Sequence, residues 1–286
     1  SMIGLFDAYE TMRDAAYSEQ RVDQSRIQPR PVEDVRGFLE KSGNYFDILE
    51  IAAEKCRKDA NLRPGFIFSD LAAWLQSNHA IQTRLMPTNV MGSMLRQFDF
   101  HRNRILLSEA MPEEQRLFQL GVQIALVSCQ PEIDTIIAGA GLENVESTNL
   151  LKMTLSNYFS ACLMMPYDNF LAAAQETKYD LEQLSNKFGA SFEQICHRLT
   201  TLNRPGARGI AFFFLRVDEA GHISKRLSGG GVEFAKYGGS CSRWIPHHAF
   251  RTPEQIQVQF AELEDAHRFI TITKTVSKPR TEPPYI

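Results

Sequence analysis

The sequence predicts an α+β protein: a helical domain with a small β-hairpin, followed by a helix pair and a mixed α/β domain. Three observations carry this. Apolar residues keep helical spacing from Pro112 to Val127 and from Ser156 to Met165. Two short apolar runs, Leu95 to Phe100 and Arg104 to Ser108, face each other across a polar tip, His101-Arg-Asn103. Beyond Pro205-Gly206 the texture turns to short strands.

The elements follow in order. Leu5 to Val22 places Leu5, Tyr9, Met12, Ala16 and Val22 at helical intervals, as a connector helix would. Ser1-Met2 is set aside as a tag remnant. After Pro29-Arg-Pro31, helices are expected over Val32 to Leu39, with Pro31 in the first turn, and over Tyr45 to Cys56. Arg63-Pro-Gly65 marks a turn, and Ser69-Asp70 is expected to cap a third helix running to Asn78. The stretch from Pro112 is apolar on most sides, so it belongs at the centre, beside the segment that Pro166 terminates. Tyr179 to Leu202 reads as two amphipathic helices broken at Phe188-Gly-Ala-Ser191, with Ser191 capping the second. Strands are expected at Ile210 to Val217, Ile223 to Leu227 and Phe269 to Thr275, and a tail from Lys278 that is extended or mobile. The domains are therefore 1–29, the connector; 30–170, the helical domain; and 171–286, the helix pair with the α+β domain.

Composition narrows the functions. In 286 residues, 31 Lys and Arg face 34 Asp and Glu, so overall charge gives no attraction to nucleic acid or an anionic membrane. No run reaches the roughly 18 to 20 apolar residues that cross a bilayer, and a cytoplasmic location is expected. Five cysteines, widely scattered and without a Cys-x-x-Cys pair, imply reduced thiols. The helix-turn-helix look of Asp180 to Leu202 carries few basic residues and is read as packing. His247-His248 are adjacent, so their side chains diverge, and they are read as structural or ligand-adjacent. No Gly-x-Ser-x-Gly elbow occurs.

One helix raises a chemical question. A zincin helix needs His at i and i+4, which one face of the helix projects onto a single Zn²⁺, and a Glu at i+1 as general base. At the corresponding positions stand Val122, Leu126 and Gln123, which neither ligate zinc nor take a proton from water. The run Ser156-Asn-Tyr-Phe-Ser-Ala-Cys-Leu-Met-Met-Pro166 resembles the "AN-x-FA-x-x-LLMP" segment of ImmA and IrrE-type metallopeptidases, where a glutamate just before the Asn is the third ligand. Here the two candidate positions hold Met153 and Leu155, so no zinc is expected and no catalytic residue is assigned.

The resemblance widens downstream. Phe188 to Pro205, Phe212 to Asp218, Ile223 to Arg226 and Gly238 to Trp244 resemble the C-terminal region of short-chain fatty acyl-CoA regulators, bacterial transcription factors of propionate, acetate and glyoxylate metabolism. The resemblance implies a non-enzymatic effector region that binds an acyl-CoA such as propionyl-CoA or acetyl-CoA. It also implies DNA binding only through an N-terminal helix-turn-helix domain absent from this sequence, and a homodimer to match palindromic operators. An acyl-CoA site needs cations for phosphates and an apolar tunnel. The candidates are Arg204, Arg208, Lys225 and Arg226 with Phe212 and Phe213, joined by Arg36, Arg63, Arg243 and Trp244. Some members carry a cysteine-ligated iron–sulfur cluster; for a [4Fe-4S] group the candidate ligands are Cys162, Cys196 and Cys241, and an iron–sulfur redox sensor is the alternative function. A metal-dependent hydrolase is a further alternative, for which no ligands are found.

Overall fold

The computed structural model describes residues 31–228, 245, 249–262, 268–276, 285 and 286. The expected connector helix, Cys241, Arg243, Trp244, His247-His248 and most of the tail lie outside the described residues. The chain divides into two compact units between Ala211 and Phe212.

In the first unit, α1 (Pro31–Lys41), α2 (Asp47–Asp59) and α3 (Ile67–His79) precede a sheet formed by β1 (Gln82–Met86), β2 (Arg96–Asp99) and β3 (Arg104–Ser108), with a one-turn helix α4 (Thr88–Met91) between β1 and β2. Six helices follow: α5 (Glu113–Ser128), α6 (Gln130–Ala140), α7 (Val145–Met164), α8 (Tyr167–Glu176), α9 (Leu181–Phe188) and α10 (Phe192–Leu199). The expected β2–β3 hairpin is present, Phe98 facing Ile105. Its strand β3 also takes β1 as a parallel neighbour, giving the order β1-β3-β2. That strand has no clean alternation to betray it, only a half-polar sequence, Gln-Thr-Arg-Leu-Met.

Helix α7 is the axis of this unit, touching α1, α2, α5, α6 and α10. It starts earlier than Ser156, because the Asn144 side chain accepts from the Glu146 amide and caps it there. Leu151, Leu155, Phe159 and Leu163 are completely buried along it. Where α5 crosses α7 the helices approach closely: a Cβ on Gly121 would stand 2.3 Å from Ser160 Oγ, which itself donates to the Phe118 carbonyl at 2.7 Å. Only glycine permits that approach.

Two local expectations need correction. Asp70 does not cap α3, which begins at Ile67; its carboxylate clasps Arg63, accepting from the backbone amide at 2.9 Å and from Nη2 at 2.6 Å. The break expected at 170/171 falls later, because the helix pair α9–α10 is locked onto α2 and α7 through Arg198, within the first unit. Ser191 does cap α10, in a reciprocal box with Gln194.

The second unit holds two antiparallel pairs, β4 (Phe213–Val217) with β5 (Ile223–Ser228) and β6 (Gln257–Glu262) with β7 (Arg268–Thr273). Phe213 meets Phe269 edge to face at 5.9 Å. Ile286 pairs with Val217 through both backbone groups, while most of the tail from Lys278 lies outside the described residues.

Candidate functional site

The first unit contains an open cleft of about 640 Å³ between α2 and the start of α8. Glu50, Ile51, Glu54, Lys55, Lys58 and Asp59 come from α2; Cys162, Pro166, Tyr167, Asp168, Asn169 and Arg204 complete it. Its geometry rests on a buried ion pair at the floor and on an exposed one at the rim.

At the floor, Arg198 is 1% exposed and grips Glu50 with both ends of its guanidinium, at 2.7 and 2.9 Å. The remaining donors reach the Met165 carbonyl at 2.9 Å, Thr201 Oγ1 at 3.1 Å and Cys162 Sγ at 3.4 Å. Tyr158 donates to the same Glu50 carboxylate at 2.8 Å. Burial would raise the Glu50 pKa, but the charge and hydrogen bonds of Arg198 and Tyr158 outweigh it and leave the carboxyl below its usual value. Such a pair stabilises little against an apolar replacement, yet is costly to break from one side. The sequence held a signal that was missed: Arg198 shares the helical stripe of Ile195 and Leu199, and Glu50 sits beside Leu49 and Ala53, so each charge occupies an apolar face.

At the rim, Arg204 lies 4.0 Å over the Tyr167 ring and donates to Tyr45 Oη at 3.1 Å and to Asp168 at 2.6 Å. Tyr167 Oη accepts from the Arg204 amide and donates to the Ala207 carbonyl, both at 2.8 Å, which fixes the turn before Gly206. Asp168 is mostly exposed, its side chain 78% accessible, so its pair with Arg204 is weak and yields to a competing anion. Lys55 and Lys58 add cations, and Ile51, 63% exposed, adds an apolar surface.

Of the residues singled out in the sequence, only Arg204 and Cys162 line this cleft. Arg208 is exposed nearby in the chain, Arg36 pairs with Glu33 on its own helix, and Arg63 is held by Asp70. Phe212, Phe213, Lys225 and Arg226 belong to the second unit; Lys225 faces Arg216 and Arg226 faces Leu215 across β4–β5.

The cysteine set is incomplete among the described residues, since Cys241 lies outside them. Cys162 is fully buried, and burial pushes its thiol well above the usual value; burial pushes Cys196 up to about 12. No group of three His, Cys, Asp or Glu side chains converges as a metal site among the described residues. On α5, Val122 and Gln123 are 1% and 5% exposed and Leu126 is half-buried, while on α7 Leu155 is completely buried and Met153 half-buried, so the zincin positions are packed to different depths. Arg198, one of the few basic residues of the helix-turn-helix-like pair, is buried. No described helix is long and apolar enough to cross a membrane.

Comparison with known proteins agrees with this division of parts. Residues 201–284 match the family model of the short-chain fatty acyl coenzyme A regulator, C-terminal, and residues 76–200 match the IrrE N-terminal-like domain. The chain is 36% identical to a propionyl-CoA carboxylase regulator of Cereibacter sphaeroides, over 90% of this chain and 54% of that protein. It is 34% identical to the HTH-type transcriptional regulator PrpR of Mycobacterium tuberculosis, over 94% of this chain and 54% of the relative. The M. tuberculosis regulator RamB is 32% identical over 86% of this chain and 52% of its own length. The chain thus spans about half the length of the curated relatives it matches. A solved Mycobacterium tuberculosis transcriptional regulator superposes with a TM-score of 0.85 at 33% identity, covering 90% of this chain and 79% of that one. The peptidase-like helices, the pair that follows them and the strand region after Leu202 are those of one family of transcriptional regulators, and this chain belongs to the short-chain fatty acyl-CoA regulators.

Proposed function

We propose that the chain is the effector region of a bacterial transcriptional regulator, that it binds a short-chain acyl-CoA such as propionyl-CoA or acetyl-CoA, and that binding alters the DNA affinity of an attached helix-turn-helix domain. The observation that carries this reading is the position of Arg204. It lies inside the segment that matches the acyl-CoA regulators and stands at the rim of the cleft in the helical unit. Arg204, Lys55 and Lys58 offer charge to phosphates, and Ile51 offers apolar surface to the thin arm. Arg208, Lys225 and Arg226 are further cations within the matched segment.

The region is proposed to be non-enzymatic, because Val122, Gln123 and Leu126 supply neither ligand nor base. A homodimer is proposed on the symmetry of bacterial operators. For signalling, the ligand must prefer one conformer, since equal affinity for both shifts nothing.

Isothermal calorimetry of the chain with acetyl-, propionyl- and free CoA tests the reading, with Arg204→Ala and Arg226→Ala as companions. Saturable heat that weakens in Arg204→Ala is expected. No heat with any of the three at millimolar concentration sinks it.

A further inference from the structure

A second feature lies at the former zincin helix, away from the cleft. Arg96, on β2, is half-buried, and its only side-chain hydrogen bond among the described residues is a long one from Nη1 to Gln123 Oε1 at 3.4 Å. Among the described residues no carboxylate pairs with it, whereas its strand neighbour Asp99 is already taken by Arg104 at 2.9 Å. Burial pulls the guanidinium below its usual value, and no acid offsets the shift. Gln123 is 5% exposed and spends its carbonyl on Arg96; its amide nitrogen makes no hydrogen bond among the described residues. Seven residues earlier on α5, and so on the same side, Arg116 holds Nε buried without a partner.

The spot therefore offers N–H donors and, among the described residues, no carboxylate to take them. A half-buried cation without a counter-charge is unfavourable, and the group that relieves it is an anion that accepts from a planar fork and an amide together. Met94 and Leu95, both at least about a third exposed, directly precede Arg96 in the chain, and Leu126 lies half-buried one turn beyond Gln123. These favour an aliphatic tail on the anion. We propose that Arg96 and Gln123 form a binding site for a small aliphatic carboxylate, separate from the Arg204 cleft.

The test is thermal unfolding of the 286-residue chain in sodium propionate against sodium chloride at equal ionic strength. The site predicts a midpoint that climbs with the logarithm of propionate concentration once the site saturates. It predicts the same response in Arg204→Ala and none in Arg96→Gln. Gln123→Glu supplies the missing carboxylate from within; its midpoint should exceed that of the parent in chloride and no longer respond to propionate. A Gln123→Glu midpoint below the parent's, or equal midpoints in propionate and chloride, overturns the proposal. So does an equal rise with inorganic phosphate, which would make the site one for any anion.

Discussion

Glu50 shows how much one residue can carry here. Its carboxylate satisfies Arg198, which no water reaches, and Glu50→Gln leaves that cation buried with a neutral partner. A loss of about 3–5 kcal/mol is expected by urea unfolding, and replacing both partners by apolar residues of similar size should cost less. The pH dependence has a definite sign. The folded-state pKa lies below the unfolded one, so this contribution is complete above the unfolded value of ~4.3 and fades as pH falls through the folded value. Glu50→Gln should flatten the acid limb of stability against pH, which parallel unfolding curves between pH 3 and 7 would reveal. Asp168 is the opposite case, an exposed partner worth little to the fold; Asp168→Asn frees Arg204 and should tighten an anionic ligand by about two- to tenfold in calorimetry while stability changes by about 0.5 kcal/mol or less.

At the scale of elements, the crossing of α5 and α7 is the tightest constraint. Gly121→Ala sets a methyl against Ser160 and should cost about 1–3 kcal/mol, partly recovered by adding Ser160→Gly. The capping box of α10 is a milder test: Ser191→Ala should cost about 1 kcal/mol in chemical denaturation, because the Gln194 amide loses its acceptor. These two sites also show what was legible beforehand. Ser191 could be read as a cap because its partners lie within one turn, and the apolar faces of α5 and of the end of α7 could be read from spacing. The one-turn signals of α6 were equally present, Pro131 at its start and Gly141 in the left-handed conformation at its end, and went unused. The cleft was not legible, because Glu50 and Arg198 are 148 residues apart and only the folded chain brings α2 and α10 together. Arg204 was singled out by resemblance, while its neighbours Lys55, Lys58 and Asp168 carried no local mark.

For the whole molecule, the peptidase-like helices supply a frame and the segment after Leu202 supplies Arg204 to it. That division is consistent with the packing at the zincin positions: Val122 and Leu155 are buried in the core, and the acyl-CoA is proposed for another face. The central claim is that an acyl-CoA occupies the α2–α8 cleft, and amide hydrogen exchange with and without propionyl-CoA reads it most directly. Protection confined mainly to residues 47–59, 166–176 and 203–208 is the predicted result; saturating binding by calorimetry with unchanged exchange in all three segments would contradict it.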